Sequence, residues 1–518
     1  MTQPRVVVVG AGVAGLVAAA DLATRGVEVI VVERAMTPGG KMREVTVGGV
    51  QVDAGPTVFT MRRVFEEIFA DAGAVLSDHL TLQPIDVLAR HAWAATDGTQ
   101  RLDLFTDGER SADAIGQFAG AAEARGYRAF CARARRTFDT LDAGFMRAAR
   151  PSSPLALLGH AKAGDLLSLS PFATLWGALG EHFRDSRLRQ LFGRYATYCG
   201  TSPFLASATL MLIAHVEREG VWLVQGGMHR LPLALAGLAT RHGAVFRYGA
   251  QVAEVLVEGG RSSGVRLADG ERIAADAVVL NADVAALAGG LFGAAAKRAA
   301  PRDDAPRSLS AVTWAMLAPT AGFPLLRHNV FFSNDYASEF DDVFRRDRLP
   351  TTPTVYVCAQ DRDESGEYGE AGAERLLCLV NAPPSGDRRP FPDTEIERCA
   401  TRSFGLLEAC GLTVGRTPAN TRTTTPANWE QLFPATGGAL YGRAMHGAMA
   451  AFRRPGARTT LPGLFLAGGS VHPGAGVPMA ALSGRQAAAS AFADLASARR
   501  ASTVPFRRSA MPGGMSTR

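Results

Sequence analysis

Three glycine-rich stretches, and the charged residues beside them, carry the chemistry of this sequence. The first, Gly10-Ala11-Gly12-Val13-Ala14-Gly15, follows the valine run 6–9 and opens a helical pattern that reaches about Thr24. Gly10 permits a tight turn. Gly12 lets a pyrophosphate approach the backbone at a helix N-terminus, and Gly15 lets the helix pack closely on the strand. A second strand, Val27 to Val32, ends at Glu33, 23 positions after Gly10. A carboxylate there accepts hydrogen bonds from the hydroxyls of an adenosine ribose. Strand, glycine turn, helix, strand and acid in this register predict a dinucleotide site.

The second stretch separates two kinds of dinucleotide. Just past Glu33-Arg34 come Gly39-Gly40-Lys41-Met42, a further backbone loop with a cation for phosphates, and then Asp53-Ala54-Gly55-Pro56-Thr57. An apolar strand that ends in Gly-Pro makes a rigid turn of little bulk, suited to a flat ring. A nicotinamide dinucleotide needs neither element, so the pattern predicts FAD. The third stretch, Gly468 to Met479, follows the apolar run 464–467 and precedes a helix of small residues. Its glycines offer amides to a pyrophosphate or to the flavin.

Taken together, these residues resemble the FAD-dependent amine-oxidase and phytoene-desaturase superfamily, whose N-terminal signature runs GxGxxG, E-R, G-G-[KR], D-x-G-P-T. His472-Pro473-Gly474-Ala475-Gly476-Val477-Pro478 is similar to the closing motif of its carotenoid (phytoene) desaturase family. Stretches 192–200, 208–217 and 226–231 resemble the branch of 1-hydroxycarotenoid 3,4-desaturases, the methoxyneurosporene dehydrogenases of photosynthetic bacteria. The resemblance implies an α/β fold: a Rossmann-type FAD-binding domain with inserted helical membrane-contact and substrate-binding subdomains. It implies removal of two hydrogens from a hydrophobic, acyclic 1-hydroxylated carotenoid, with hydride passing to flavin N5 and then to a quinone or oxygen. It also implies a peripheral place on the cytoplasmic side of a membrane. The implied FAD contacts are Gly10, Ala11, Gly12, Val13, Ala14, Gly15, Glu33, Arg34, Gly40, Lys41, Met42, Gly55, Pro56, Thr57, the backbone of Val252, and Gly468, Gly469, Val477, Pro478 and Met479. One departure stands out. Many relatives carry an acid where this chain has Gly469, so only a backbone contact is expected there.

The elements that must position these residues are spread along the chain. The FAD-binding domain is expected to be discontinuous: 1–95, 217–300 and 430–497. Its middle part holds β-like runs at 245–248, 252–257, 264–267 and 277–280. The first insertion, 96–216, reads as mainly helical, with Phe138, Leu141 and Phe145 at helical spacing. It carries Arg125, Arg128, Arg133, Arg135, Arg136, Arg147 and Arg150, and apolar stretches at 155–158 and 166–179 broken by Pro154, Gly164, Pro171 and Gly177. Two readings stand: a buried helical subdomain, or an interfacial helix pair on an anionic membrane, which the resemblance favours. The second insertion, 301–429, has β-like runs at 354–358 and 376–380 and predicts a sheet over the substrate cavity. Residues 498–518 read as a disordered basic tail.

Composition bounds the rest. The chain has 518 residues, 47% hydrophobic and 20% charged, as a folded protein does. Lys+Arg 55 against Asp+Glu 49 leaves +6, and the five arginines of the last twenty residues supply most of it. The remainder is near neutral, which argues against a nucleic-acid partner. Six cysteines form no CxxC pair and no zinc spacing, so no metal is expected, and scattered thiols fit a reducing compartment. The long uncharged run 195–216 contains Gly200 and Pro203, so no spanning helix is expected there. The N-terminus enters a strand at once and predicts no signal peptide.

Desaturation beside a polyene needs a hydride acceptor, a dry cavity and a way to lose a proton. The polyene delocalises its own cation, so no strong nucleophile is required, and no Ser/His/Asp elbow or paired carboxylate motif is present. His472 could act as acid/base or bond the backbone. His229 reads as structural, and His215 as a core histidine or a polar contact for an oxygenated substrate end. Tyr195, Tyr198 and Cys199 stay open. Three alternatives compete: another carotenoid desaturase such as one for phytoene, a flavin amine oxidase releasing peroxide, and a lipid carrier without flavin.

Overall fold

The strand Arg5–Val9 has no polar residue after Arg5, and the fold buries both of its faces. Val6 and Val8 pack with Leu16, Leu22 and Leu235, whereas Val7 and Val9 pack with Val255, Val265 and Leu280. A parallel sheet covered on two sides requires this. The computed structural model describes residues 3–96, 98–150, 172–301, 305–362 and 372–503. The sheet runs Val245–Arg247, Glu28–Val32, Arg5–Val9, Ala277–Leu280, Leu464–Leu466, with every pairing parallel. Its strands come from three distant parts of the chain. Helices Val13–Thr24, Arg230–Arg241 and Val477–Thr503 cover one face. The antiparallel meander Val252–Glu258, Arg261–Leu267, Arg272–Ala274 covers the other. Gly484 lets the first and last helices touch backbone to backbone, because a Cβ there would lie 2.3 Å from the Ala14 carbonyl oxygen. Arg485, the next residue, bridges Asp21 and Asp71.

A second sheet has seven strands, in the order Thr421–Thr424, Ser310–Ala318, Glu374–Ala382, Val355–Ala359, His328–Phe332, Val87–Ala95, Gly98–Phe105. Five of them fall in the second insertion. The other two, from 87–105, straddle the expected boundary at 95/96, and the structure places them in this sheet. Their attachment is the parallel pairing of Val87–Ala95 with His328–Phe332, a long-range contact that no local pattern announces. Helix Asp393–Ala409 packs on this sheet, with Trp314, Met316, Cys399 and Leu407 in the shared core.

Helices Gly108–Ala119 and Ala121–Leu141 make up much of the first insertion, and Phe138, Leu141 and Phe145 are buried. Four of the seven arginines named for this insertion have an acidic partner. Arg128 pairs with Glu109, Arg133 with Glu181, Arg135 with Asp139, and Arg147 with both Glu67 and Asp142. An anionic surface therefore meets fewer uncompensated charges than the sequence suggests. The apolar stretch 155–158, the first part of 166–179, and Pro154, Gly164 and Pro171 lie outside the described residues. The last helix extends to Thr503, so Arg499 and Arg500 belong to it and not to a separate tail. Residues 504–518 lie outside the described residues. Among the described residues, no helix is long and apolar enough to cross a membrane.

Candidate active site

The C-terminal ends of the parallel strands open onto a cavity of 1920 Å³. A single small ligand takes about 300–1,000 Å³, so there is room for two, and the two halves of the cavity differ in chemistry.

In the nucleotide half, Gly10 has φ +99°, and a Cβ there would lie 2.7 Å from the Asn281 carbonyl oxygen. The helix Val13–Thr24 begins at Gly12, which has no side chain to occupy the first-turn amides. A Cβ at Gly15 would lie 2.1 Å from the Gly10 carbonyl oxygen, so only glycine lets the helix start this close to the strand end. Asn281 organises the turn. Its Oδ1 accepts from Gly15 N at 3.0 Å and its Nδ2 donates to the Ala467 carbonyl at 3.0 Å. It thus joins the first and third glycine stretches. Glu33 lies on the cavity wall, oriented by Ala11 N at 2.7 Å and Ala35 N at 2.8 Å. Lys41 also lines the cavity, with Nζ donating to the Leu440 carbonyl at 2.6 Å. Burial lowers its pKa below the ordinary lysine value, against the opposing pull of Asp283. Asp53 pins the Gly55–Thr57 turn. Its carboxylate accepts from Met228 N at 2.7 Å and His229 N at 3.3 Å, and Gln360 brackets its backbone at 3.0 and 2.8 Å.

Most of the residues expected to hold FAD face this cavity. Gly10, Gly12, Val13, Ala14, Glu33, Arg34, Gly40, Lys41 and Met42 line it. So do Gly55, Pro56, Thr57, Val252, Gly468, Gly469, Val477, Pro478 and Met479. Ala11 and Gly15 stand behind the wall. Two helix N-termini, bare glycine backbone, a half-buried cation and a carboxylate at the end of the second parallel strand are the groups a pyrophosphate dinucleotide requires. These residues fit FAD.

His472 is turned the other way. It is fully buried and absent from the cavity wall, and its Nε2 lies 2.8 Å from the Phe145 carbonyl and 3.2 Å from that of Ala148. The backbone-bonding reading therefore replaces the acid/base one: the ring clamps the 145–148 turn, while Pro473 to Met479 face the cavity. His215 packs on Phe138 with ring centroids 4.9 Å apart and is likewise off the wall, which favours its core reading. His229 Nε2 lies 2.8 Å from the Pro38 carbonyl, as a structural residue does.

The other half of the cavity is apolar, with Leu141, Phe145, Leu210, Ile213, Leu379 and Phe452 on its walls. Where the halves meet, a polar group interrupts the oil: Thr57, Arg194, Tyr198, Glu217 and Tyr356. Tyr195 lies behind them and donates to Glu217 at 2.8 Å. Burial raises the Glu217 carboxyl pKa, which this hydrogen bond opposes. Sequence reasoning assigned no role to Arg194, Glu217 or Tyr356. One signal was present: Arg194 and Glu217 flank the long uncharged run 195–216.

The model of flavin containing amine oxidoreductases matches residues 13–491. A hydroxyneurosporene desaturase of Rubrivivax gelatinosus is 56% identical over 517 residues, 99% of this chain and 97% of the relative. One from Cereibacter sphaeroides is 49% identical, across 95% of this chain and 98% of the relative. Among solved structures, an oxidoreductase from Methanosarcina mazei shares the fold with a TM-score of 0.60 at 17% identity, covering 93% of this chain and 99% of its own. The chain belongs to the flavin containing amine oxidoreductase family, in its carotenoid desaturase branch, and is an oxidoreductase whose nucleotide site takes FAD.

Proposed function

We propose that the protein introduces a double bond into an acyclic 1-hydroxylated carotenoid by removing two hydrogens. The observation that carries this reading is the two-part cavity of 1920 Å³, which adds an apolar chamber to the nucleotide site. FAD, when bound, supplies the acceptor for the hydride. The chain's own residues do the remainder. Leu210, Ile213 and their neighbours exclude water and hold the hydrocarbon, and the Gly55–Thr57 turn offers a low wall to a flat ring. Glu217, a half-buried carboxylate with a raised pKa on the cavity wall, is placed to accept the proton that leaves the adjacent carbon.

The substrate is dissolved in lipid, so we place the protein peripherally on a membrane, on its cytoplasmic side. Phe172, 90% exposed, and Met449, 42% exposed, both border the cavity and support that placement. A quinone or oxygen then takes the electrons. The test is anaerobic incubation of the FAD-loaded protein with hydroxylated neurosporene and a quinone, followed by product analysis. The expected product has two fewer hydrogens and absorbs further to the red. Conversion of phytoene but not of the hydroxylated polyene would overturn the reading, as would peroxide release with a polyamine and no polyene product.

A further inference from the structure

The polar group at the junction is built around a cation that the fold leaves incompletely used. Arg194 lines the cavity, and its guanidinium carbon lies 5.1 Å from the Tyr198 ring centroid and 5.2 Å from that of Tyr356. Its Nη1 donates to the Tyr198 hydroxyl at 2.9 Å. Among the described residues that is the side-chain hydrogen bond it makes, although a guanidinium carries five N–H groups. No carboxylate of the described residues is in ion-pair contact with it; Glu217, which accepts from Tyr195 at 2.8 Å, attracts it from further off and also engages the Tyr198 hydroxyl. A charge in an oil-lined chamber is costly unless something polar engages it. A pure hydrocarbon cannot do so. The Tyr356 hydroxyl is committed elsewhere, 2.7 Å from Thr57 Oγ1 and 2.7 Å from His328 Nδ1. It holds the wall of Arg194 against the Gly55–Thr57 turn.

We propose that Arg194 and Tyr198 form the subsite that grips the tertiary hydroxyl of the substrate, and that this grip selects the bond to be oxidised. The proposal rests on the reading of the substrate as a 1-hydroxylated polyene. The substrate oxygen accepts from the free guanidinium N–H groups, while the Tyr198 hydroxyl, which accepts from Nη1 and is drawn to Glu217, holds the guanidinium in place. The chemistry supports the location. The hydroxyl-bearing carbon is separated from the C3–C4 bond by one carbon, so a group that holds the oxygen must stand beside the oxidation site. Thr57, hydrogen-bonded to Tyr356, ties this cluster to the turn expected under the flavin ring.

The test uses FAD-loaded wild type, Tyr198→Phe, Arg194→Lys and Arg194→Met. Binding of the hydroxylated polyene and of its non-hydroxylated parent is read from the shift in the polyene's own visible absorption. FAD content is read from the flavin spectrum, and the product's double-bond position is determined. Wild type should prefer the hydroxylated polyene. Tyr198→Phe and Arg194→Met should weaken its binding about ten- to a hundredfold, with the parent affected far less and FAD content retained. Arg194→Lys should recover part of the preference. Equal weakening for both polyenes would overturn the subsite and leave the proposed reaction standing, as would a wild type that desaturates the hydroxylated polyene without preferring it. A wild type that neither binds nor converts the hydroxylated polyene would remove the proposed function, and the subsite with it.

Discussion

Asn281 offers the sharpest test of how the nucleotide site is assembled. Its side chain makes two hydrogen bonds, to Gly15 N and to the Ala467 carbonyl, and its backbone N donates to the Val9 carbonyl at 2.8 Å. Asn281→Ala keeps the backbone bond and removes the other two. At about 1 kcal/mol each, their loss weakens FAD binding by about 2 kcal/mol, or roughly thirtyfold. The range is about ten- to a hundredfold, because Gly15 and Ala467 are both buried and each group left unpaired costs between the net worth of a hydrogen bond and its full desolvation. Asn281→Asp should be worse than alanine for FAD. One carboxylate oxygen still accepts from Gly15, but the other faces the Ala467 carbonyl, and its charge opposes the pyrophosphate. Fluorescence titration of the apoprotein with FAD measures both, and melting with saturating FAD checks that each variant folds. An alanine variant within threefold of wild type, or an aspartate variant that binds more tightly than alanine, would refute this account of Asn281.

Two other perturbations probe parts of the fold away from the glycine turn. Gly484→Ala puts a Cβ 2.3 Å from the Ala14 carbonyl oxygen and should cost about 1–3 kcal/mol by forcing the first and last helices apart; an unchanged melting temperature would show that the two helices yield freely. Glu339 is fully buried, and burial pushes its carboxyl from 4.5 up to about 7, although Asn381 Nδ2 and Thr354 N donate to it. The folded state therefore keeps a proton that the unfolded chain releases. Its contribution, on the order of 3 kcal/mol, is fully present below about pH 4.5 and is lost as pH rises through about 7. Glu339→Gln should flatten that part of the melting-temperature profile, and parallel profiles for variant and wild type would contradict the assignment.

The dinucleotide site was legible because its demands are local. A tight turn, a close helix–strand contact and a ribose acid must occur within one βαβ unit, and backbone geometry admits few residue types at each position. Gly10, Gly15 and Glu33 could be read for that reason, and so could the apolar strands of the parallel sheet. The recurrence of glycine motifs far apart also predicted that the parallel sheet would draw its strands from distant parts of the chain, as it does. What only the tertiary structure decided depends on contacts between distant segments. His472 sits in a loop whose neighbours face the cavity, and only the packing of Phe145 against it shows that the ring points away. The strands at 87–105 join the second sheet through a parallel pairing with His328–Phe332. Asn281 gains its role because three chain segments meet around it. Arg194, Glu217, Tyr356 and Thr57 become one polar group only when a helical insertion, a sheet strand and the Gly55–Thr57 turn close on the same cavity. Backbone propensity and turn chemistry act over a few residues and leave their mark in the sequence, whereas the direction of a buried polar side chain is set by whatever the whole fold brings against it.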